Sequence, residues 1–127
     1  MNLITPLNRV LGLGSAKGGS EHWWVQRLTA VALIPLGLWL AISLAAFESI
    51  SYSALVVWVQ QPLTAVLLIL TVSTLVYHSH LGVQVVLEDY VHAPGVKVVC
   101  LVLSAFAHVF LATATLFSIL KVAFGAS

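Results

Sequence analysis

The chain has 127 residues, 61% of them hydrophobic and 7% charged, with a formal net charge of +1 and a mean hydropathy of +1.08. A water-soluble domain carries about 25% charged residues, so this composition excludes one and defines an integral membrane protein. No basic run offers a surface to nucleic acid, and the single cysteine, Cys100, lies inside an apolar run and supports neither a disulfide nor a zinc site.

Residues 1–21 are mixed in character, with Arg9, Lys17 and a cluster of small residues from Gly12 to Ser20. They read as an N-terminal segment on the inner membrane face, placed to meet a partner there. Arg9 interrupts the only stretch that resembles a signal peptide. The glycines fit neither G-x-G-x-x-G nor G-x-x-x-x-G-K-[ST], so no phosphate loop is read.

Residues 22–127 read as a three-helix transmembrane anchor with spans at about 25–47, 62–89 and 96–120. His22-Trp23-Trp24 opens the first span as an interfacial aromatic belt, and no charge occurs from Leu28 to Phe47. Pro35 and Gly37 are positions where this helix can bend. Arg27 stands at its mouth. It can snorkel to the headgroups or pair with an anionic group, such as a cofactor carboxylate.

Glu48 to Gln61 forms a loop with two further anchors, Tyr52 and Trp58, and residues 54–59 suit a short segment at the interface. Pro62 suits the first turn of the second span, and His92-Ala93-Pro94-Gly95 breaks the chain before the third. Ser104, Thr113, Thr115 and Ser118 are the small polar residues expected at helix contacts. The first side of the membrane carries Arg9, Lys17, Arg27 and Lys97, the other only Lys121, which places the N-terminus inside.

The second span holds an island of polar groups in hydrocarbon, where such groups mark function. On a helix, His78, Gly82, Val85 and Asp89 fall at spacings of 0, 4, 7 and 11, one stripe. An imidazole, a missing side chain and a carboxylate on one face suit a flat cofactor packed close to the helix. His80 points to the opposite face. Asp89 and Tyr90 lie at the inner surface, and His78 lies about 16 Å deeper, near the bilayer midplane.

An imidazole at that depth can bond a neighbouring helix, join a proton relay or ligate a metal. A b-type haem needs only axial side chains, and Gly82 leaves room for a porphyrin. The absence of Cys-x-x-Cys-His excludes covalent attachment. His108 reaches a similar depth on the third span. His78 and His108 can therefore ligate one haem within this chain, or each can face a different helix. His80, His92 and Glu88 read as local polar residues. Asp89 and Tyr90 suit a quinone headgroup, whose carbonyls accept hydrogen bonds and whose reduction takes up protons. No iron–sulfur, flavin or nucleotide motif is present, so electrons must come from another subunit.

The string H-S-H-L-G-V-Q-V-V-L-E-D-Y-V-H, which contains His78, Gly82, Asp89 and Tyr90, resembles the hydrophobic membrane anchors of succinate dehydrogenase, respiratory complex II. The arginine in Trp23-Trp24-Val25-Gln26-Arg27-Leu28-Thr29-Ala30, the three spans and the inside N-terminus resemble them too. The similarity runs from about His22 to Leu120, and its most specific element is the His-x11-Tyr spacing that ends in Asp-Tyr.

The resemblance implies an all-α membrane protein whose helices join a bundle shared with a second cytochrome b anchor subunit. It implies two further partners, an iron–sulfur subunit and a flavoprotein that oxidises succinate, docked on the inner face of the bacterial cytoplasmic membrane. Haem b would lie between the anchors with His78 as one axial ligand and the other from the second anchor, which argues against pairing of His78 with His108. Arg27 would lie near the haem propionates, with an adjacent polar position at His22; no such role passes to Glu21. Tyr90, with Asp89 beside it, would serve the ubiquinone site. The chain alone would not be an enzyme. Two other readings keep the membrane: a stand-alone b-type cytochrome using His78 and His108, and a structural assembly subunit without haem.

Overall fold

The computed structural model describes residues 17–125, so the expectations for Arg9 and for the glycines and serine of residues 12–16 lie outside the described residues. Four helices follow one another: α1 (Lys17–Ala45), α2 (Tyr52–Gln60), α3 (Pro62–Tyr90) and α4 (Pro94–Ala123). Among the described residues there is no strand. Three of the helices are long and apolar enough to cross a membrane: residues Ser20–Ala45 within α1, all of α3 and all of α4. In hydrocarbon every backbone N–H and C=O must find an internal partner, and a helix provides that within one segment. The chain is thus an all-α membrane protein.

The breaks between helices have local causes. α1 runs unbroken through Pro35 and begins upstream of the apolar run at 25–47. Ser51 caps α2, its Oγ accepting from the Ala54 backbone N–H at 3.2 Å. Gln61 is extended (φ −69°, ψ 126°), as expected of a residue preceding proline, and Pro62 then opens α3. Ala93 (φ −71°, ψ 114°) and Pro94 repeat the device before α4. The Lys97 ammonium donates to the Glu88 carbonyl at 2.7 Å, so the first turn of α4 satisfies the C-terminal end of α3.

α3 is the central element. α1 packs on one flank and α4 on another, while α1 and α4 do not approach each other; α2 lies against α3 and α4. Stacking of Trp39 on Trp58 (centroids 5.9 Å apart, 17° between planes) and the edge contact of Phe47 with Trp58 (5.8 Å, 83°) tie α2 to the end of α1. Every buried residue in the described part lies on α3: Thr64, Ala65, Thr71 and Leu81. Three of the four are small, which is how membrane helices bring their backbones together. Trp24, Leu28, Ile34, Leu38 and Ile42 of α1 and Val98, Phe106, Phe110 and Phe117 of α4 remain exposed. This open row has too little interior to be a finished bundle in itself.

The hydroxyls of three small polar residues of α4 bond within their own helix. Thr113 and Ser118 donate to the carbonyls of Val109 and Ala114, each at 2.8 Å, and Thr115 donates to that of Leu111. These hydroxyls satisfy their own helix on an exposed face. A hydroxyl one turn past a carbonyl can always do this, so its presence alone does not mark a contact. Ser104 faces α3: it lines a small cleft with His80 and Gln84, and its carbonyl accepts from His108.

Candidate functional site

A cleft of about 580 Å³ opens between α1 and α3. α1 lines it with His22, Trp23, Gln26, Arg27 and Ala30, and α3 with His78, Gly82 and Val85. The spacing explains both sets: positions i, i+4 and i+8 on α1 and i, i+4 and i+7 on α3 share a face. Four of the residues singled out from the sequence, His22, Arg27, His78 and Gly82, therefore stand around one space.

His78 is half-buried against α1. Its Nδ1 lies 2.9 Å from the Thr29 hydroxyl and its Nε2 3.5 Å from the carboxamide nitrogen of Gln26. Gln26 also bounds the space over Gly82, where an added Cβ would meet the same nitrogen at 3.5 Å, an ordinary contact. The Gln26 Oε1 and the His22 Nε2 are buried without a hydrogen-bond partner among the described residues. A buried polar atom left unpaired costs about 1–3 kcal/mol, so both are open to a group that enters the cleft. His22 stands one turn, about 6 Å, nearer the start of α1 than Gln26.

Arg27 is the one permanently charged side chain on the cleft wall. Its guanidinium lies 5.3 Å from the centroid of the Trp23 ring, and Trp23 meets Trp24 edge to face at 5.0 Å. Among the described residues no carboxylate pairs with Arg27, which leaves its five donors available to an anion.

Asp89 and Tyr90 do not line the cleft. Asp89 lies one turn beyond Val85 on the same stripe, and Tyr90 follows it at the end of α3, 77% exposed. The His92 Nδ1–H donates to the Tyr90 carbonyl at 3.1 Å and fixes the chain just past the helix. Gln84 donates to Glu88 at 2.8 Å, one turn apart on the exposed surface.

His108 belongs to a different place. Its Nδ1–H donates to the Ser104 carbonyl at 2.7 Å, and its Nε2 accepts from the Ser79 hydroxyl at 3.2 Å. Its ring meets that of His80 at 5.2 Å. His78 and His108 thus face opposite flanks of α3 and do not converge, which removes the intra-chain pairing that the sequence left open. His80, placed on the far face and treated as local, is part of this second cluster. The two rings flank a smaller cleft of about 270 Å³ that also takes in Ser73 and Tyr77. Among the described residues no three of His, Cys, Asp and Glu gather as a chelating cluster. An iron held in a macrocycle needs none, only axial side chains.

Sequence reasoning passed over Gln26 and Thr29. Both are polar, flank Arg27 and fall on the His78 side of α1; their spacing within an otherwise apolar run was the available signal.

Residues 1–120 match the sequence model of the family described as succinate dehydrogenase/fumarate reductase transmembrane subunit. The chain is 40% identical over 78 residues to a succinate dehydrogenase hydrophobic membrane anchor subunit of Rickettsia bellii (strain RML369-C), covering 61% of this chain and 62% of that one. It is 32% identical over 90 residues to a succinate dehydrogenase hydrophobic membrane anchor subunit of Paracoccus denitrificans (71% and 70% covered). It is 30% identical over 90 residues to a succinate dehydrogenase membrane anchor subunit of Reclinomonas americana (68% and 75% covered). The chain spans about three-fifths of the length of the Rickettsia relatives it matches. No solved structure matches it.

Proposed function

The chain belongs to the succinate dehydrogenase/fumarate reductase transmembrane subunit family, and on that premise we propose that it is a membrane anchor of a succinate:ubiquinone oxidoreductase. It docks the flavoprotein and iron–sulfur subunits on the inner face of a bacterial cytoplasmic membrane, with residues 1–21 and the α3–α4 turn on that side. Its partner within the membrane is a second cytochrome b anchor subunit, which covers part of the exposed surface of α1 and α3.

The observation that carries this reading is the cleft that gathers His22, Arg27, His78 and Gly82 between α1 and α3. Its residues suit a haem b. His78 offers an imidazole nitrogen, Ala30, Gly82 and Val85 offer a low apolar wall, and Arg27 and the unpaired His22 Nε2 offer donors to propionates. When bound, the haem would supply a one-electron store. His80 and His108 meet between α3 and α4, on the flank away from His78, which supports a second axial ligand from the other anchor.

At the shallow end of α3, the Tyr90 hydroxyl donates to a ubiquinone carbonyl and Asp89 passes protons from the inner aqueous phase. Reduction of the quinone to the quinol consumes two electrons, delivered from the iron–sulfur subunit, and two protons. The exposure of Tyr90 on this chain is consistent with a pocket that neighbouring subunits complete.

The test is the reduced-minus-oxidised spectrum of the purified complex. His78→Ala is expected to abolish the six-coordinate low-spin haem signature. A wild-type spectrum in that variant overturns the assignment of the ligand.

A further inference from the structure

We propose that Thr29 is a positioning residue for His78: its hydroxyl accepts the Nδ1–H and so fixes the tautomer whose Nε2 lone pair faces the cleft. The inference rests on the reading of His78 as an axial ligand and concerns a residue on the other helix.

The Thr29 hydroxyl has one hydrogen and three neighbours. The carbonyls of Val25 and Gln26 lie at 2.9 and 3.0 Å, and the His78 Nδ1 at 2.9 Å. A carbonyl oxygen can only accept, and a hydroxyl one turn past a carbonyl commonly donates to it, so we assign the hydrogen of Thr29 to one of these two. The Thr29 Oγ then has only lone pairs left for His78. The bond to Nδ1 is made if the imidazole carries its proton there, and a neutral imidazole with Nδ1–H has its lone pair on Nε2. The nearest neighbour of Nε2 is the Gln26 carboxamide nitrogen at 3.5 Å, at the limit of a hydrogen bond, so no strong partner holds that lone pair.

A ligating histidine whose other nitrogen donates to a fixed acceptor is oriented for the metal and is the more basic ligand for it. Here the acceptor is supplied by α1, so the packing of α1 on α3 sets the chemistry of a side chain on α3. Thr29 is absent from the cleft wall, so its effect would be relayed through His78.

The experiment uses the assembled complex with Thr29→Val, which keeps the shape and removes the hydroxyl, and Thr29→Ser, which keeps the hydroxyl. Haem content per flavin, the low-spin spectrum and the haem midpoint potential are measured, with His78→Ala alongside. For Thr29→Val the expected result is a haem affinity about 10–100-fold lower, the usual effect of losing such a partner. The potential rises, because a less basic imidazole stabilises the ferric state less. Thr29→Ser restores affinity, spectrum and potential. Wild-type values of all three in Thr29→Val overturn the proposal while His78→Ala still loses its signature, so ligation by His78 stands. A Thr29→Ser complex as deficient as Thr29→Val also overturns it, since the hydroxyl is then not what matters. If His78→Ala keeps the wild-type spectrum, ligation itself is wrong and the role of Thr29 falls with it.

Discussion

The rings of His80 and His108 meet edge to face, 5.2 Å apart and at 61°, on the flank of α3 opposite the one from which His78 reaches Thr29. Two histidines only two residues apart thus serve two different helix interfaces. His108→Leu is expected to leave the haem spectrum of the complex unchanged. It breaks the bonds to Ser79 and Ser104, which costs about 1 kcal/mol in a membrane interior and shows as slightly lower resistance to thermal unfolding. Loss of the low-spin signature in this variant would instead favour a haem held within the chain.

Gly82 separates two kinds of constraint. An added methyl meets Gln26 at 3.5 Å, which is ordinary contact, and alanine is favoured over glycine in a helix by about 1 kcal/mol. Gly82→Ala should therefore fold and assemble. Gly82→Leu extends into the cleft and should lower haem content sharply while the complex still oxidises succinate with a soluble acceptor. Haem-to-flavin ratios in the two variants check this.

Tyr90→Phe keeps the ring at the end of α3 and removes only its hydroxyl. Loss of a proton donor at the reacting group typically costs about 10²-fold or more, so ubiquinone reduction should fall by about 10². Succinate oxidation by an artificial soluble acceptor should survive. Parallel loss of both activities would place Tyr90 in assembly instead.

Trp58→Ala removes the stack on Trp39 and the edge contact with Phe47 together. At about 0.5–1.5 kcal/mol for each aromatic pair, the α2 connection should loosen by about 1–3 kcal/mol. Faster proteolysis within residues 46–61 and a lower midpoint in thermal unfolding are the expected signs, with haem spectrum and quinone activity retained.

The long apolar helices and their breaks at Pro62 and Pro94 were legible because each depends on local chemistry: an apolar run must close its own hydrogen bonds, and a proline constrains the residue before it. The stripe from His78 through Gly82 to Asp89 was legible for a similar reason, since one helix fixes the angles among its own side chains. Much of the cleft wall followed, with Arg27 marked by its charge at the mouth of an apolar run and His22 only by the resemblance to the family. What the one-dimensional pattern could not supply was the partner of each face. A lipid-facing leucine and one that faces another helix look alike in sequence, because lipid is as apolar as a protein interior.

By itself, the amino-acid sequence determined that this is a membrane protein of long helices with a polar stripe deep in the second span. Only the tertiary structure decided that α3 stands between α1 and α4 and that His78 belongs to α1 and His108 to His80. It also decided that Thr29 meets the Nδ1 of His78 and that Gln26 stands beside its Nε2 at 3.5 Å. The periodicity of a helix orders residues around its own axis, but the rotation of that axis toward a neighbour is set by packing between residues 49 to 52 positions apart, and that distance leaves no trace in a local pattern.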